Sequence, residues 1–343
     1  MAQAAPGGRG RGGDERVVRG VSGRTQEVIR LADRSPIPAG TPQAGIFALG
    51  TAAHEYLELD LRGPEATERG EVARLIADLR EPRSTVGGVN LVVGVRPELW
   101  AHVDPDGMPA GVSGFLEPVP GAAGYSMPAT QHDLWVWIAG ASYDVVFDMA
   151  RGAIDHLQPL FDLREEIAGW SYQHDRDLTG FIDGSANPSL LEAPSIALVP
   201  AGQPGAGGSV LLFQRWVHDA GSWEALPVEE QERVIGRTKP DSIELDEAVR
   251  GPGSHVSRTD FAVDGEEQKI FRRNTPFGTV SEHGTVFVGF SRDQNRLSGM
   301  LRRMAGSDDG VRDALTYFST ATSGAYYWIP PVEALLRHAT PED

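Results

Sequence analysis

The sequence predicts an α+β fold made of two tandem ferredoxin-like units, each an antiparallel sheet with helices packed on it. Two observations lead there. A chain of 343 residues can bury two ordinary cores or one large one. Strand-like apolar runs interleaved with helix-period stretches occur in the first half in an order that begins again in the second.

Residues 1–35 carry seven Arg against four acids (Asp14, Glu15, Glu27 and Asp33) and much Gly, without a sustained apolar period in their first half. They are expected to form a disordered tail outside the fold. The prolines of SPIPAGTPQ then suit an extended entry into a first strand within GIFALGTAAHEYLELDL. In EATERGEVARLIADLR, Val72, Leu75, Ile76 and Leu79 recur at helical spacing and make one apolar stripe. GVNLVVGV and HDLWVWIAG read as buried strands. SYDVVFDMARGAIDHLQPLF reads as a second helix with Val146, Met149, Ala150, Ala153 and Leu157 on one side. A weaker strand closes this unit, and the segment from Asp162 to Pro204 reads as a long, turn-rich connector.

The second unit opens on the strand GSVLLFQRWVHD. The helix PVEEQERVIGR follows, its acids first and its bases last, as the helix dipole favours. HVSRTDF and TVFVGFSRD are expected as strands, QNRLSGMLRRMAG and DGVRDALTYFS as helices, and AYYWIPPVEALLRH closes the chain. The expected division is a tail over 1–35, an N-terminal unit over 36–195 and a C-terminal unit over 196–343.

Composition narrows the function. The chain has 31 Lys and Arg against 48 Asp and Glu, a formal charge of −17, which repels nucleic acid and anionic lipid. With no cysteine, disulfides, thiolate zinc sites, iron–sulfur clusters and thioether-linked haem are excluded. No stretch approaches the roughly 20 apolar residues of a membrane span, and the N-terminus lacks the apolar core of a secretory signal. A cytoplasmic protein without nucleic-acid or membrane partners is expected.

Three motifs carry candidate chemistry. In GFIDGSANP, Gly180 and Gly184 flank Asp183 and allow a positive-φ turn that aims the carboxylate inward. Most Asp-Gly pairs are plain turns, so this one needs company. His255 follows a Gly-Pro-Gly break in GPGSHVSRTD, where one ring nitrogen could ligate a metal while the other donates to a carboxylate. In IFRRNTPFG, Arg272, Arg273 and Asn274 precede a Pro-Phe-Gly turn; an arginine doublet is most often a solvated face.

Together and in this order, the motifs resemble the dye-decolorizing haem peroxidases, in particular their compact bacterial subgroup. The resemblance runs from about residue 40 to the C-terminus and takes in QAGIFALGTAAH, IGRTK and SGAYYWIPP. It implies a duplicated ferredoxin-like fold enclosing one non-covalent haem b. It also implies a peroxidase that reduces hydrogen peroxide and oxidises dye-like or phenolic compounds, or Mn(II), through a high-valent iron-oxo intermediate. His255 matches the iron ligand. Asp183, Arg272 and Asn274 match the catalytic residues on the peroxide side. Arg237, Arg272 and Asn187 are expected against the cofactor, and Asp313 is a candidate carboxylate partner for His255.

These residue types suit the chemistry. Peroxide must lose a proton from its inner oxygen and gain one on its outer oxygen, which a mobile carboxylate can manage. A guanidinium stabilises the charge that grows as the O–O bond breaks, without itself titrating. One departure stands out: Ser185-Ala186-Asn187-Pro188 occupies the place where many relatives have Thr-Glu-Asn-Pro. Trp216, Trp223, Tyr326, Tyr327 and Trp328 are either surface exits for electrons or core packing. A haem-handling protein with incidental peroxidase activity is the alternative function. A homo-oligomer is expected, and the short LLRHATPED ending argues against encapsulin packaging through the C-terminus.

Overall fold

The computed structural model describes residues 39–63, 69–79, 88–173 and 176–339; the Gly/Arg-rich segment over 1–35 lies outside the described residues. The first half supplies β1 (Ala53–Leu61), α1 (Arg69–Ala77), β2 (Asn90–Val95), β3 (Leu134–Gly140), α2 (Tyr143–Leu157) and β4 (Phe161–Trp170). The second supplies β5 (Ser209–His218), α3 (Val228–Ile235), α4 (His255–Thr259), β6 (Thr275–Gly278), β7 (His283–Ser291), α5 (Gln294–Ala305) and β8 (Ala325–Ile329).

The duplication is visible in the strand order. The first four strands lie as β4-β1-β3-β2 and the second four as β8-β5-β7-β6, all antiparallel. Each set therefore follows the fourth-first-third-second order of a ferredoxin-like unit. The sets join at both ends, where Val95 of β2 pairs with Trp328 of β8 and Gly169 of β4 with Phe277 of β6. Eight strands thus close into a ring, with the short strands Phe271–Arg272 and Ser319–Ala321 flanking it.

Alternation along the strands divides the core in two. Leu57 on β1, Leu91 and Val93 on β2, and Val136 and Ile138 on β3 face outward beneath α1 and α2, covered by Val72 and Ile76 of α1, by Leu79 just after it, and by Val146, Ala150, Ala153 and Leu157 of α2. Tyr56, Val92, Trp135, Trp137, Phe213, Val288, Phe290 and Tyr327 turn inward and fill the ring. Burial on both faces is why LWVWIAG reads as one unbroken apolar run.

Several elements differ from the sequence expectation. The first strand begins at Ala53; Ala44–Phe47 is a 3-10 turn, with Gly45 so close to β2 that an added Cβ would meet Val92 at 2.5 Å. The strand closing the first unit spans ten residues, so the connector starts after Trp170 and not at Asp162. HVSRT is a helix, because the Ser254 hydroxyl accepts from the Ser257 amide and caps it. TPFG is a strand, not a turn. Pro276, which lacks an N–H, is tolerated there because β6 makes a single residue pair with β4. DGVRDALTYFS forms only a 3-10 turn, Ala314–Tyr317, capped by Asp313.

Candidate active site

The connector between the halves folds back on itself to present Asp183. Arg176 bridges Ile182, the Asp177 amide donates to the Phe181 carbonyl (3.0 Å), and the Asp177 carboxylate accepts from the Thr179 amide (2.9 Å). Gly180 and Gly184 hold φ of +87° and +75°, as their positions in the motif required. The Gly184 amide then donates to Asp183 Oδ1 at 2.7 Å. Asp177 lies half-buried beside this group, and loss of solvation, reinforced by the Asp183 charge, pushes its carboxyl up to about 6.

His255 opens α4, and its Nδ1 lies 2.7 Å from Oδ2 of Asp313. Asp313 is fully buried, and its Oδ1 accepts from the Leu315 amide at 2.9 Å, which fixes the carboxylate at the head of the 3-10 turn. The Ala314 amide donates to the Gly253 carbonyl (2.8 Å), tying that turn to the loop that carries His255. A histidine whose Nδ1–H is donated to a carboxylate presents the Nε2 lone pair.

Arg272 is held from its backbone. Asn187 spends both ends of its amide on it: Nδ2 donates to the Arg272 carbonyl (2.8 Å) and Oδ1 accepts from the Arg272 amide (3.0 Å). Asn274 Oδ1 accepts from the Val288 amide at 3.1 Å, so its amide nitrogen is left for the cavity. Arg237 follows the left-handed Gly236 that ends α3, and binds the Ser242 carbonyl (3.0 Å) and Glu244 (3.1 Å).

Asp183, His255, Arg237, Arg272 and Asn274 line one cavity, walled by Phe181, Trp216, Ile235, Phe287, Met300, Met304 and Leu315. Asp183, Arg272 and Asn274 also line an adjoining hollow with Asp177, His54 and Thr275, so they stand between the two spaces. Asn187 lines that second hollow, and its amide is committed to the Arg272 backbone. Trp216, Trp223, Tyr326, Tyr327 and Trp328 are all buried, which makes them core residues and not surface exits.

Two of the lining residues that escape the sequence reading bear on the chemistry. Asp177 is one. The other is His218, whose Nδ1 and Nε2 are engaged by the hydroxyls of Ser319 (2.9 Å) and Thr285 (3.0 Å) and whose burial lowers it to about 4. Of the two histidines in the cavity, His255 alone keeps a nitrogen to offer.

The donor set fits a haem. Among the described residues no three His, Asp or Glu gather to cage a metal ion, so an iron here needs most of its ligands from a macrocycle. One oriented imidazole, an apolar wall rich in Met and Phe, and arginines at the rim suit a porphyrin with one axial protein ligand. No helix among the described residues is long and apolar enough to cross a membrane.

Comparison with known proteins agrees with this geometry. The N-terminal model of the Dyp-type peroxidases matches residues 43–171 and the C-terminal model matches residues 174–334. A dye-decolorizing peroxidase of Mycobacterium tuberculosis is 33% identical over 314 residues, covering 89% of this chain and 92% of the relative. That of Mycolicibacterium paratuberculosis is 36% identical over 310 residues, covering 87% and 86%. DypB from Rhodococcus jostii RHA1 superimposes with a TM-score of 0.79 at 34% identity, over 87% of this chain and 98% of that one. Variants of that protein have been solved in complex with heme and, in one case, with manganese. With both halves matched over nearly their whole length, the chain belongs to the Dyp-type peroxidase family and is a haem-dependent oxidoreductase of the dye-decolorizing kind.

Proposed function

We propose that His255 Nε2 would hold the haem iron, and that Asp183, Arg272 and Asn274, which line the same cavity, would work on hydrogen peroxide. One observation carries this reading. A histidine oriented by a fully buried carboxylate shares its cavity with a carboxylate, a guanidinium and a carboxamide that it does not touch. The haem, when bound, supplies the redox chemistry: it takes two oxidising equivalents from peroxide and releases them singly.

Everything else belongs to the chain. Asp183 takes the proton from one peroxide oxygen and returns it to the other. Arg272, with its backbone pinned by Asn187, stabilises the negative charge on the departing oxygen. Asn274 orients peroxide through its free amide N–H, Asp313 holds His255 in one tautomer, and Arg237 faces the acidic groups at the cofactor's rim. Asp177, bearing a proton more readily than an ordinary carboxyl, keeps a second negative charge from building up beside Asp183. The reductants are organic, dye-like or phenolic compounds, or Mn(II). The reading divides the chain into units over 36–195 and 196–343, with the Asp183 loop on the first and His255 on the second.

The test is to purify the protein with hemin supplied, record its absorption spectrum, and mix it with one equivalent of peroxide in a stopped-flow instrument. The expected result is a Soret band that His255→Ala perturbs and a fast spectral change that Arg272→Ala slows. A Soret band that peroxide only bleaches slowly overturns the peroxidase assignment in favour of haem handling.

A further inference from the structure

The hollow that adjoins the cofactor cavity is lined by a cation with no anion beside it. Arg273 lines this space, and loss of solvation holds its guanidinium below the usual range. Two other buried arginines are neutralised: Arg258 forks onto Asp309 (2.8 and 2.9 Å), and Arg296 donates to Glu266 (2.6 Å). Arg273 instead donates to the Ile46 carbonyl (2.9 Å) and lies over the Trp137 ring, 5.1 Å from its centre. Those contacts engage one face and one N–H of a group that has five N–H to give. Among the described residues no carboxylate lies within ion-pair distance of it, although the chain carries a formal charge of −17. Arg176 and Arg272 line the same hollow and likewise lack a carboxylate partner among the described residues; Arg176 is spent on the carbonyls of Gly180, Lys239 and Pro240.

A second donor stands near Arg273. An indole N–H donates and cannot accept, and that of Trp137 points to His54 Nδ1 at 3.1 Å, so the proton of the neutral imidazole sits on Nε2. Burial and then the Arg273 charge keep His54 neutral, lowering it to about 4. Nε2 meets only the Thr51 carbonyl and hydroxyl, at 3.3 and 3.4 Å, long contacts that leave the N–H for a better acceptor. His54 and Thr51 line the hollow with Arg273, and Leu49, Trp170, Tyr172 and Phe271 give it apolar wall. Its volume, about 430 Å³, is that of a small-molecule site. An inorganic anion would satisfy the arginine and leave the apolar wall wet, whereas an aromatic carboxylate satisfies both.

We propose that this hollow binds aromatic carboxylates, the carboxylate on Arg273 and the His54 Nε2–H and the ring against Trp170 and Tyr172, and that phenolic members of the class are reductants of the enzyme; this rests on the haem peroxidase reading above. Asp183, Arg272 and Asn274 line both spaces, so a donor held here abuts the peroxide site. Two donors serve each peroxide. Each phenol gives up one electron and its phenolic proton, and the two electrons and two protons convert one hydrogen peroxide into two waters.

The experiment uses the haem-loaded full chain with its Arg273→Gln and Arg273→Lys variants. Calorimetric titration of the ferric protein with benzoate, which has no phenol to oxidise, should show one site that Arg273→Gln weakens at least tenfold and that Arg273→Lys, which keeps the charge, largely retains. In turnover, Arg273→Gln should raise KM for 4-hydroxybenzoate at least tenfold more than KM for the uncharged 4-hydroxybenzyl alcohol. A wild-type protein that binds no benzoate, or equal losses for the charged and uncharged donors, overturns the site. Undiminished benzoate binding with poorer hemin retention in Arg273→Gln assigns the arginine to a carboxylate of the cofactor and overturns it too. Benzoate binding that depends on Arg273 in a wild-type protein inert to peroxide upholds the anion site and overturns the peroxidase reading alone.

Discussion

Asp313 Oδ2 and His255 Nδ1 meet at 2.7 Å across 58 residues of sequence, and the carboxylate has no exposed surface. One oxygen orients the imidazole while the other caps a turn that lines the same cavity. The ligand's tautomer and the shape of the pocket floor therefore depend on one side chain.

Asp313→Asn separates these two duties. It keeps an acceptor for the Leu315 amide but removes the negative charge from the His255 partner. Losses of about 10- to 100-fold in haem retention or peroxide reactivity are expected, the usual scale for groups that orient a metal ligand. Hemin titration and stopped-flow rates would check this, and unchanged values for both would contradict the role given to Asp313.

Arg272 is expected to matter more than Asp183. Removing a preorganised charge-stabilising donor costs about 10²–10³ in rate. Asp177 offers a partial substitute for the acid, whereas among the described residues no second guanidinium lines both hollows. Stopped-flow rates for Arg272→Leu and Asp183→Asn decide the matter; a larger loss in the Asp183 variant reverses the ranking.

Asn187→Ala tests positioning at a distance. It deletes two hydrogen bonds to the Arg272 backbone, each worth about 1 kcal/mol net. A fall of a few degrees in Tm and a reduced peroxide rate should appear together, with the haem spectrum preserved. Asn187→Asp, which keeps one acceptor for the Arg272 amide, should recover part of the rate.

Glu58 gives stability a pH dependence of definite sign. Burial raises its carboxyl to about 7, with Tyr327, His132, Glu165 and Arg215 as the charged and titratable groups around it. The folded chain thus retains a proton that the unfolded chain releases near 4.5. Its contribution to stability is fully present below about pH 4.5 and is lost as the pH rises through 7. Glu58→Gln should accordingly gain up to about 3 kcal/mol over wild type at pH 8 and little at pH 4.5. Urea unfolding at the two pH values measures the difference, and a constant offset between them would refute the assignment.

Much of the site is legible in the sequence because chemistry sits beside interruptions of the backbone. Asp183 lies between two glycines that take positive φ, and His255 follows Gly251-Pro252-Gly253. His218 has no such marker. It ends an apolar strand, and only the fold brings Ser319 and Thr285 to its two nitrogens. Asp177 is hidden likewise, because its place in the cavity wall depends on residues distant in sequence. Long periodic segments such as α2 are read with the right residues inside, whereas α4 and the 3-10 turn after Asp313 are too short to show a period and are set by caps. TPFG reads as a turn because its proline is judged without knowing that β6 lies at a seam.

The closure of the strand ring has a consequence for how the protein behaves in a crowded cell. Unpaired sheet edges are templates on which other chains can add strands and aggregate. The ring covers those edges only at its seams, each through one residue pair, Val95 with Trp328 and Gly169 with Phe277. Each half shields the raw edges of its twin, and a chain cut between β4 and β5 would present four of them at once.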